Sequence, residues 1–391
     1  MREIEQFRTE IRREAKWFQT LKPRTVLLHH NDTDGLTSGA ILQKAITREG
    51  KALNRYCLEK PYPKVLERLF DSSDQGTLFL FADFASGMLP TISKINRAKH
   101  YILVLDHHLI DPVSDHSIHL LNGLSAGLSN VHFSSSTLAF EFACALNSWN
   151  EDLSWLGALG ALGDGFLSSG KLIGMNGDTW SRACALKKAA HPYTFLLEGR
   201  YDYRELKDAL DSLGSIGYFR GGPDVAVKAL SDRIDEGFWQ IAAKYQREKI
   251  EGFEELKSKL KINMLGKVQW FDSGMKFFDF GVKTIGLFCE ELLTSDLIEP
   301  QKYLVGFQRL REEIPGLGKF SFGESKLSIR VPDLLAKQIE TGNQPPVTKL
   351  LPAVVDALSG FLDACHPTAG AATIPVGREE EFVRKLAEAL G

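Results

Sequence analysis

The sequence predicts an α/β protein: an N-terminal parallel sheet with helices on both faces, a helical connector, and a smaller C-terminal α+β domain. Three observations predict it. Short unbroken apolar runs alternate with helix-like segments early in the chain, the order that builds a parallel sheet. Each of three such runs ends in acid or histidine. A charged, helix-prone stretch then separates this region from a series of strand-like pieces. With 391 residues the chain has room for two or three domains of ordinary size. The expected boundaries are 1–190 for the parallel-sheet domain, 191–261 for the connector and 262–391 for the C-terminal domain.

Taken in order, Thr25–Leu28 (TVLL), Thr77–Phe81 (TLFLF) and Tyr101–Leu105 (YILVL) read as buried strands, because they are apolar throughout and bounded by polar residues. Thr37–Arg48 and Pro63–Phe70 carry helix-like spacing between them. Ligands of such sheets sit at the carboxyl ends of the strands, and here those ends read HHNDTDG, ADFASG and LDHH. Phe133–Ser136 opens a helix from Thr137 to about Leu146, with serine as its N-cap. The segment WLGALGALGDGFL is rich in small residues, which predicts a closely packed helix with Asp164 facing inward. From Asp224 to Leu260 a helix-prone stretch carries the apolar stripe Ile234, Phe238, Ile241 and Tyr245, preceded by a loop at Arg220-Gly221-Gly222-Pro223. Past Lys261 the pieces KVQWF, TIGLFCEELL, YLVGF, GKFSF and KLSIRV read as strands, and Glu379–Leu390 as a last helix.

Composition narrows the partners. The chain carries 47 Lys+Arg against 50 Asp+Glu, a net charge of −3, and a pI near 6.4. A hydrophobic fraction of 43% excludes a mainly disordered or fibrous chain. Proteins that coat long nucleic acid over their whole surface are basic. Nucleic acid, if bound, is therefore expected in a local groove or through metals that reverse the local charge. The start MREIEQFRTEIRREAKWF is charged and has no apolar region of a secretory signal, and no stretch is apolar enough to span a membrane. The five cysteines are scattered without CxxC spacing, which points to free thiols in a reducing compartment. A soluble cytoplasmic protein is expected.

Histidines cluster. His29, His30, His100, His107, His108, His116, His119 and His132 lie in one stretch, leaving only His191 and His366 elsewhere. Within that stretch Asp32 and Asp34 stand two apart just past a strand, and Asp83 ends the next. Asp106-His107-His108 ends the third, and Asp164 follows a helical segment. Any one of these is ordinary: DxDG is a common turn or helix cap, and strand ends are polar anyway. Together they would gather four or five carboxylates at one point, where repulsion demands protonation or cations. Mixed Asp and His donors suit Mn2+, Fe2+, Co2+ or Zn2+. Two such ions about 3.5–4 Å apart can ready a hydroxide for in-line attack on phosphorus. That is a phosphoester hydrolase design.

The series HxDxDGxxSG (His30 to Gly39), strand-end Asp, DHH and GxxGD, in that order, resembles the DHH phosphoesterase superfamily. Its members include RecJ-type single-strand exonucleases, nanoRNases, cyclic-dinucleotide phosphodiesterases and manganese pyrophosphatases. Lys326-Leu327-Ser328-Ile329-Arg330 and His366-Pro367-Thr368-Ala369-Gly370-Ala371-Ala372 resemble the substrate-binding domain that accompanies RecJ-like and nanoRNase proteins. The resemblance implies that Asp32 and Asp34 each ligate one metal and Asp83 bridges both. It implies that His107 and Asp164 complete the second site and that His30 contributes to the first, with His29 as its competitor. Asp106 is expected to orient a ligand histidine, and His108 to contact the scissile phosphate or protonate the leaving oxygen. Ser38, Arg330 and His366 are expected to contact substrate. The implied cofactors are two divalent ions, Mn2+ foremost, with Mg2+, Co2+ or Zn2+ as alternatives.

One departure stands out. Where the family's second domain carries a glycine-rich loop before its histidine, this chain has Asp363-Ala364-Cys365-His366. The implied function is a metal-dependent phosphodiesterase or exonuclease that cuts single-stranded or short oligonucleotides to nucleoside monophosphates. The altered loop keeps open a small-substrate phosphohydrolase acting on a 3′-phosphoadenosine nucleotide, a cyclic dinucleotide or a phosphoanhydride. A non-catalytic replication or repair scaffold is the third reading, and the sequence offers no protein partner.

Overall fold

The computed structural model describes residues 2–21 and 24–391, which form two compact units, 1–244 and 245–391. The first contains α1 (Arg2–Thr20), β1 (Thr25–His29), α2 (Thr33–Arg48), β2 (Leu53–Cys57), α3 (Pro63–Ser72), β3 (Leu78–Ala82), α4 (Leu89–Ile95), β4 (Tyr101–Leu105) and β5 (Ile118–Leu121). Then follow α5 (Ser135–Leu146), α6 (Ser154–Gly163) and α7 (Gly174–Ala185). A small antiparallel ribbon comes next, β6 (Ala189–Ala190), β7 (Thr194–Leu196) and β8 (Arg200–Asp202), before α8 (Tyr203–Gly214) and α9 (Gly222–Ser231). The unit boundary falls inside α10 (Glu236–Lys259).

The five-stranded sheet runs β2-β1-β3-β4-β5, parallel at every pair. The chain leaves β1 in one direction to reach β2, then crosses back to β3 and β4. Because parallel crossovers are right-handed, α2 covers one face while α3 and α4 cover the other. The reversal lies between β1 and β3, the position where such sheets open a crevice for ligands. β1 and β3 are buried along their whole length, which is why both read as continuous apolar runs. β2 and β5 are edge strands with mostly half-buried residues, LNRYC and IHLL; polar residues interrupt the first and the second is only four residues long with a histidine inside it, so neither reads as an apolar run.

Several boundaries differ from the sequence expectation for local reasons. α2 begins at Thr33, not Thr37, because Asp32 caps it, accepting from the Gly35 amide at 3.0 Å. The expected loop at 220–223 ends sooner, since Gly222 and Pro223 already form the first turn of α9, where proline is tolerated. The stretches 203–214 and 222–231, assigned by sequence to a connector, pack as α8 and α9 against α2 within the first unit.

The second unit contains β9 (Asn263–Leu265), β10 (Val268–Asp272), α11 (Thr284–Leu292), β11 (Tyr303–Arg309), β12 (Glu313–Ile314), β13 (Gly318–Lys319), β14 (Glu324–Arg330), α12 (Asp333–Glu340), α13 (Val347–Asp356), β15 (Phe361–Cys365), β16 (Ala369–Pro375) and α14 (Glu379–Leu390). Its mixed sheet runs β15-β16-β14-β11-β10-β9. Val305, Phe307, Leu327, Ile329 and Ile374 form one core with Leu335, Leu351, Val355 and Phe382, while Phe271 and Leu304 pack with Ile285, Phe288 and Leu292 in another. TIGLFCEELL is therefore a helix, not a strand. Its buried Ile285, Phe288, Cys289 and Leu292 recur at helical spacing. GKFSF keeps only Gly318–Lys319 as strand, and its Phe320 and Phe322 rings stack instead, 5.7 Å apart. Among the described residues no helix is long and apolar enough to cross a membrane.

Candidate metal centre

Sheet register assembles the centre. His29 pairs with Ala82 and Ala82 with Leu105, so the next residues, His30, Asp83 and Asp106, follow at one level along the carboxyl edge. The ladder extends one step beyond the strands. His30 N donates to Ala82 O, Asp83 N to Leu105 O and Asp106 N to Leu121 O, at 3.2, 2.9 and 3.1 Å.

His29 and His30 diverge. His29 is fully buried, with its Nδ1 2.8 Å from the His30 carbonyl and its Nε2 accepting from Arg55 at 2.8 Å. Burial, with the Arg55 charge beside it, lowers its pKa to about 3, so it stays neutral and turned away from the acids. His30 Nε2 donates to the Glu59 carbonyl at 3.1 Å. That bond leaves the lone pair of a neutral ring on Nδ1, which lies 2.9 Å from Asp32 Oδ2 and 3.3 Å from Asp83 Oδ2. Three acceptors facing one another could hold a cation.

Asp34 is held from the opposite side. Its two oxygens accept from the Ser135 and Ser136 amides at 2.8 and 3.0 Å, the opening turn of α5, where free N–H groups favour an anion. α6 allows this approach only because residue 160 is glycine: a Cβ there would lie 2.5 Å from Asp34 Oδ1 and 2.2 Å from Ser136 Oγ. His107 Nδ1 lies 3.4 Å from Asp34 Oδ2 and its Nε2 3.3 Å from Asp164 Oδ2. Burial disfavours its charge, but Asp34 and Asp164 outweigh that and raise its pKa to about 9.

Asp83 lies between these groups. It is 1% exposed, and neither carboxylate oxygen receives a hydrogen bond. Burial, then the charges of Asp32, Asp34 and Asp164, push its pKa well above the carboxylate range. Its donors belong to two overlapping groups, His30–Asp32–Asp83 and Asp83–His107–His108, and Asp34–His107–Asp164 forms a third. Within each group the ligand atoms lie within 4.8 Å of one another, and their mixed oxygen and imidazole chemistry fits a transition-metal ion. Orphaned oxygens at the centre of such a set are what a bound cation would satisfy.

Asp106 points elsewhere. Its Oδ1 accepts from the His107 and His108 amides and from His108 Nδ1, the last at 2.7 Å, and its Oδ2 from the Ser86 amide at 2.8 Å. Burial opposes its charge, but His108, His107 and the amides hold its pKa well below the usual range. The histidine it orients is therefore His108, which is half exposed and stacks on His107 with centroids 4.2 Å apart.

With this geometry, residues 24–160 match the DHH family, N-terminal domain. That segment, about a third of the chain, is a DHH-family N-terminal domain. The chain is 31% identical over 155 residues to an uncharacterized protein of Methanocaldococcus jannaschii, a match covering 38% of this chain and only 34% of that relative. Among solved structures, RecJ from Thermus thermophilus in complex with Mn2+ superposes with a TM-score of 0.66 at 15% identity, covering 97% of this chain and 54% of that one. A second structure, the exonuclease RecJ bound to manganese, gives 0.64 at 14% identity over 97% and 94%. The DHH domain of a member of a ribosomal protein family gives 0.66 at 14% identity over 100% and 92%. At these identities the likeness is one of fold.

Ser38, Arg330 and His366 belong to none of the three groups of candidate metal ligands. Ser38 is fully buried in α2, its hydroxyl without a hydrogen-bond partner. In the second unit, Arg330 donates to Glu290, Ser328 Oγ and the Ile329 carbonyl. His366 is exposed in the turn between β15 and β16. Asp363 sits at a register shift in β15 and pairs with the buried Lys326. An open cavity of about 740 Å³ beside Trp270, Lys259 and Arg384 is lined wholly by second-unit residues and contains none of the expected ones. Sequence reasoning missed Arg55, the Glu59 carbonyl and the Ser135 and Ser136 amides. Backbone donors leave no residue-type signal, and only the serine N-cap pattern at 134–136 marked that helix start.

Proposed function

We propose that this chain is a two-metal phosphodiesterase that cleaves short or single-stranded oligonucleotides to nucleoside monophosphates. The observation that carries it is Asp83: a buried carboxylate with both oxygens lacking donors, shared between neighbouring ligand groups. His30, Asp32 and Asp83 would hold one ion, and Asp34, His107, Asp164 and Asp83 the other. Bound there, the ions would supply a water of lowered pKa and neutralise charge on the phosphoryl oxygens. The protein's own contribution is positional. The Ser135 and Ser136 amides fix Asp34, the Glu59 carbonyl fixes the His30 ring, and Asp106 fixes His108 through Nδ1. In its imidazolium form His108 would then offer Nε2–H to a phosphate or leaving oxygen.

The test is incubation of end-labelled oligonucleotides with the purified chain and Mn2+ or Mg2+, beside Asp83→Asn. The substitution is expected to lower turnover by about 10²-fold or more, because it removes the charge shared by both ions. Oligonucleotide binding without cleavage in either metal would overturn the reading. The loop before His366 favours a second reading, since Asp363-Ala364-Cys365 puts a paired carboxylate and two Cβ atoms where the family has glycines that let backbone amides approach a phosphate. Faster release of phosphate or nucleotide from 3′-phosphoadenosine nucleotides or cyclic dinucleotides than from oligonucleotides would establish it.

A further inference from the structure

α8 is built onto the loop that carries two of the acids. Asn31 Nδ2 donates to the Gly214 carbonyl at 2.9 Å, and a Cβ on Gly214 would lie 1.7 Å from the Asn31 carbonyl oxygen. One turn earlier, Asp211 Oδ1 accepts from Thr33 N at 3.1 Å and from Thr33 Oγ1 at 2.7 Å. Thr33 separates Asp32 from Asp34, so the backbone between two candidate ligands is fastened to this helix. The other oxygen of Asp211 accepts from Lys207 Nζ at 2.5 Å.

A Lys–Asp pair at i,i+4 on an open helix face contributes little and implies no function. This pair is different in two respects. Asp211 is already engaged by Thr33, and the Lys207 side chain is only 34% exposed. Burial works against the ammonium charge, but Asp211, Asp208 and then Asp32 outweigh it, so Lys207 stays charged within the field of the centre. The charge count then matters. Asp32, Asp34, Asp83 and Asp164 bring four negative charges, which two divalent ions would balance, and an incoming phosphodiester adds another. A fixed cation beside the centre lowers the cost of that addition.

We propose that Lys207, positioned by Asp211, binds a phosphoryl oxygen of the substrate at the Asp32 side of the centre. This rests on the phosphoesterase reading above and extends it to a residue outside the DHH segment. The experiment titrates adenosine monophosphate into the full-length Mn2+-loaded protein by calorimetry, for wild type, Lys207→Met, Lys207→Gln and Lys207→Arg. Mn2+ affinity and oligonucleotide kinetics are measured in parallel. Lys207→Met and Lys207→Gln are expected to weaken adenosine monophosphate binding about tenfold and raise KM similarly. Mn2+ affinity should stay within about twofold, the salt dependence of binding should flatten, and Lys207→Arg should recover most of the loss. Unchanged nucleotide binding in the two neutral variants overturns the proposal. So does a loss of Mn2+ affinity in step with it, which makes Lys207 a support for the loop alone. A wild type that binds adenosine monophosphate in a Lys207-dependent way yet cleaves nothing sinks the hydrolase reading and leaves this one standing.

Discussion

Asp83 is strained as well as unsatisfied. Its φ of 69° is in the left-handed region, which costs a non-glycine residue about 1 kcal/mol or more. The same turn removes its carboxylate from water and places it among three other acids. Without metal these features oppose folding, and with metal they hold a ligand at the place two ions would share. Asp83→Asn removes the charge while keeping a residue that tolerates this backbone. In chelator the variant is expected to be more stable than wild type by about 0.5–2 kcal/mol, read as a higher Tm in calorimetry. Mn2+ should raise the Tm of wild type and leave that of the variant nearly unmoved. A metal-free variant less stable than wild type would show that Asp83 has a structural partner after all. Gly160 makes the opposite prediction. Gly160→Ala forces a methyl against Asp34 and Ser136, so it is expected to cost about 1–3 kcal/mol and to weaken Mn2+ binding together with stability.

At the scale of elements, the start of α5 is the most exposed to change. Ser134 Oγ caps the helix by accepting from the Thr137 amide at 3.1 Å, and the two amides just inside that cap hold Asp34. Ser134→Ala is expected to cost about 1 kcal/mol and to lower Mn2+ affinity several-fold as the first turn frays. Urea unfolding and Mn2+ titration would measure both, and a stability loss with unchanged affinity would separate the cap from the site. Elements also explain what the sequence disclosed. β1, β3 and β4 were legible because central parallel strands must be apolar on both faces, and their polar ends then stood out as Asp32, Asp83 and Asp106. Edge strands need no such run, so β2 and β5 were hidden. The choice between His29 and His30 turned on where β1 ends. Side chains alternate along a strand, and a shift of one residue exchanges the ring under α2 for the ring facing the acids. α8 has local helix signals, the Asp202–Glu205 capping box and the apolar Leu206, Leu210 and Leu213, but nothing local marked its contact with the site, where Asp211 meets Thr33 across 178 residues.

At the scale of the whole molecule, every candidate ligand lies in the unit 1–244, and the unit 245–391 has its own sheet and its own two cores. A ligand stabilises what it binds by mass action, about 2.7 kcal/mol at a free concentration 100 times its Kd. That gain is distributed over the segments whose opening would release it. For Mn2+ these are the carboxyl ends of β1, β3 and β4, the first turns of α2 and α5, the last turn of α6, and α8 through its bonds to Asn31 and Thr33. Hydrogen exchange of the full chain, with Mn2+ and with chelator, is expected to slow at those amides, while exchange within 263–390 stays the same. Protection in α8 is the discriminating signal, because that helix supplies none of the candidate ligands and gains only through its bonds to Asn31 and Thr33 and its packing on α2 and α6. Equal exchange of α8 in both conditions would mean that the loop and the helix are not mechanically joined.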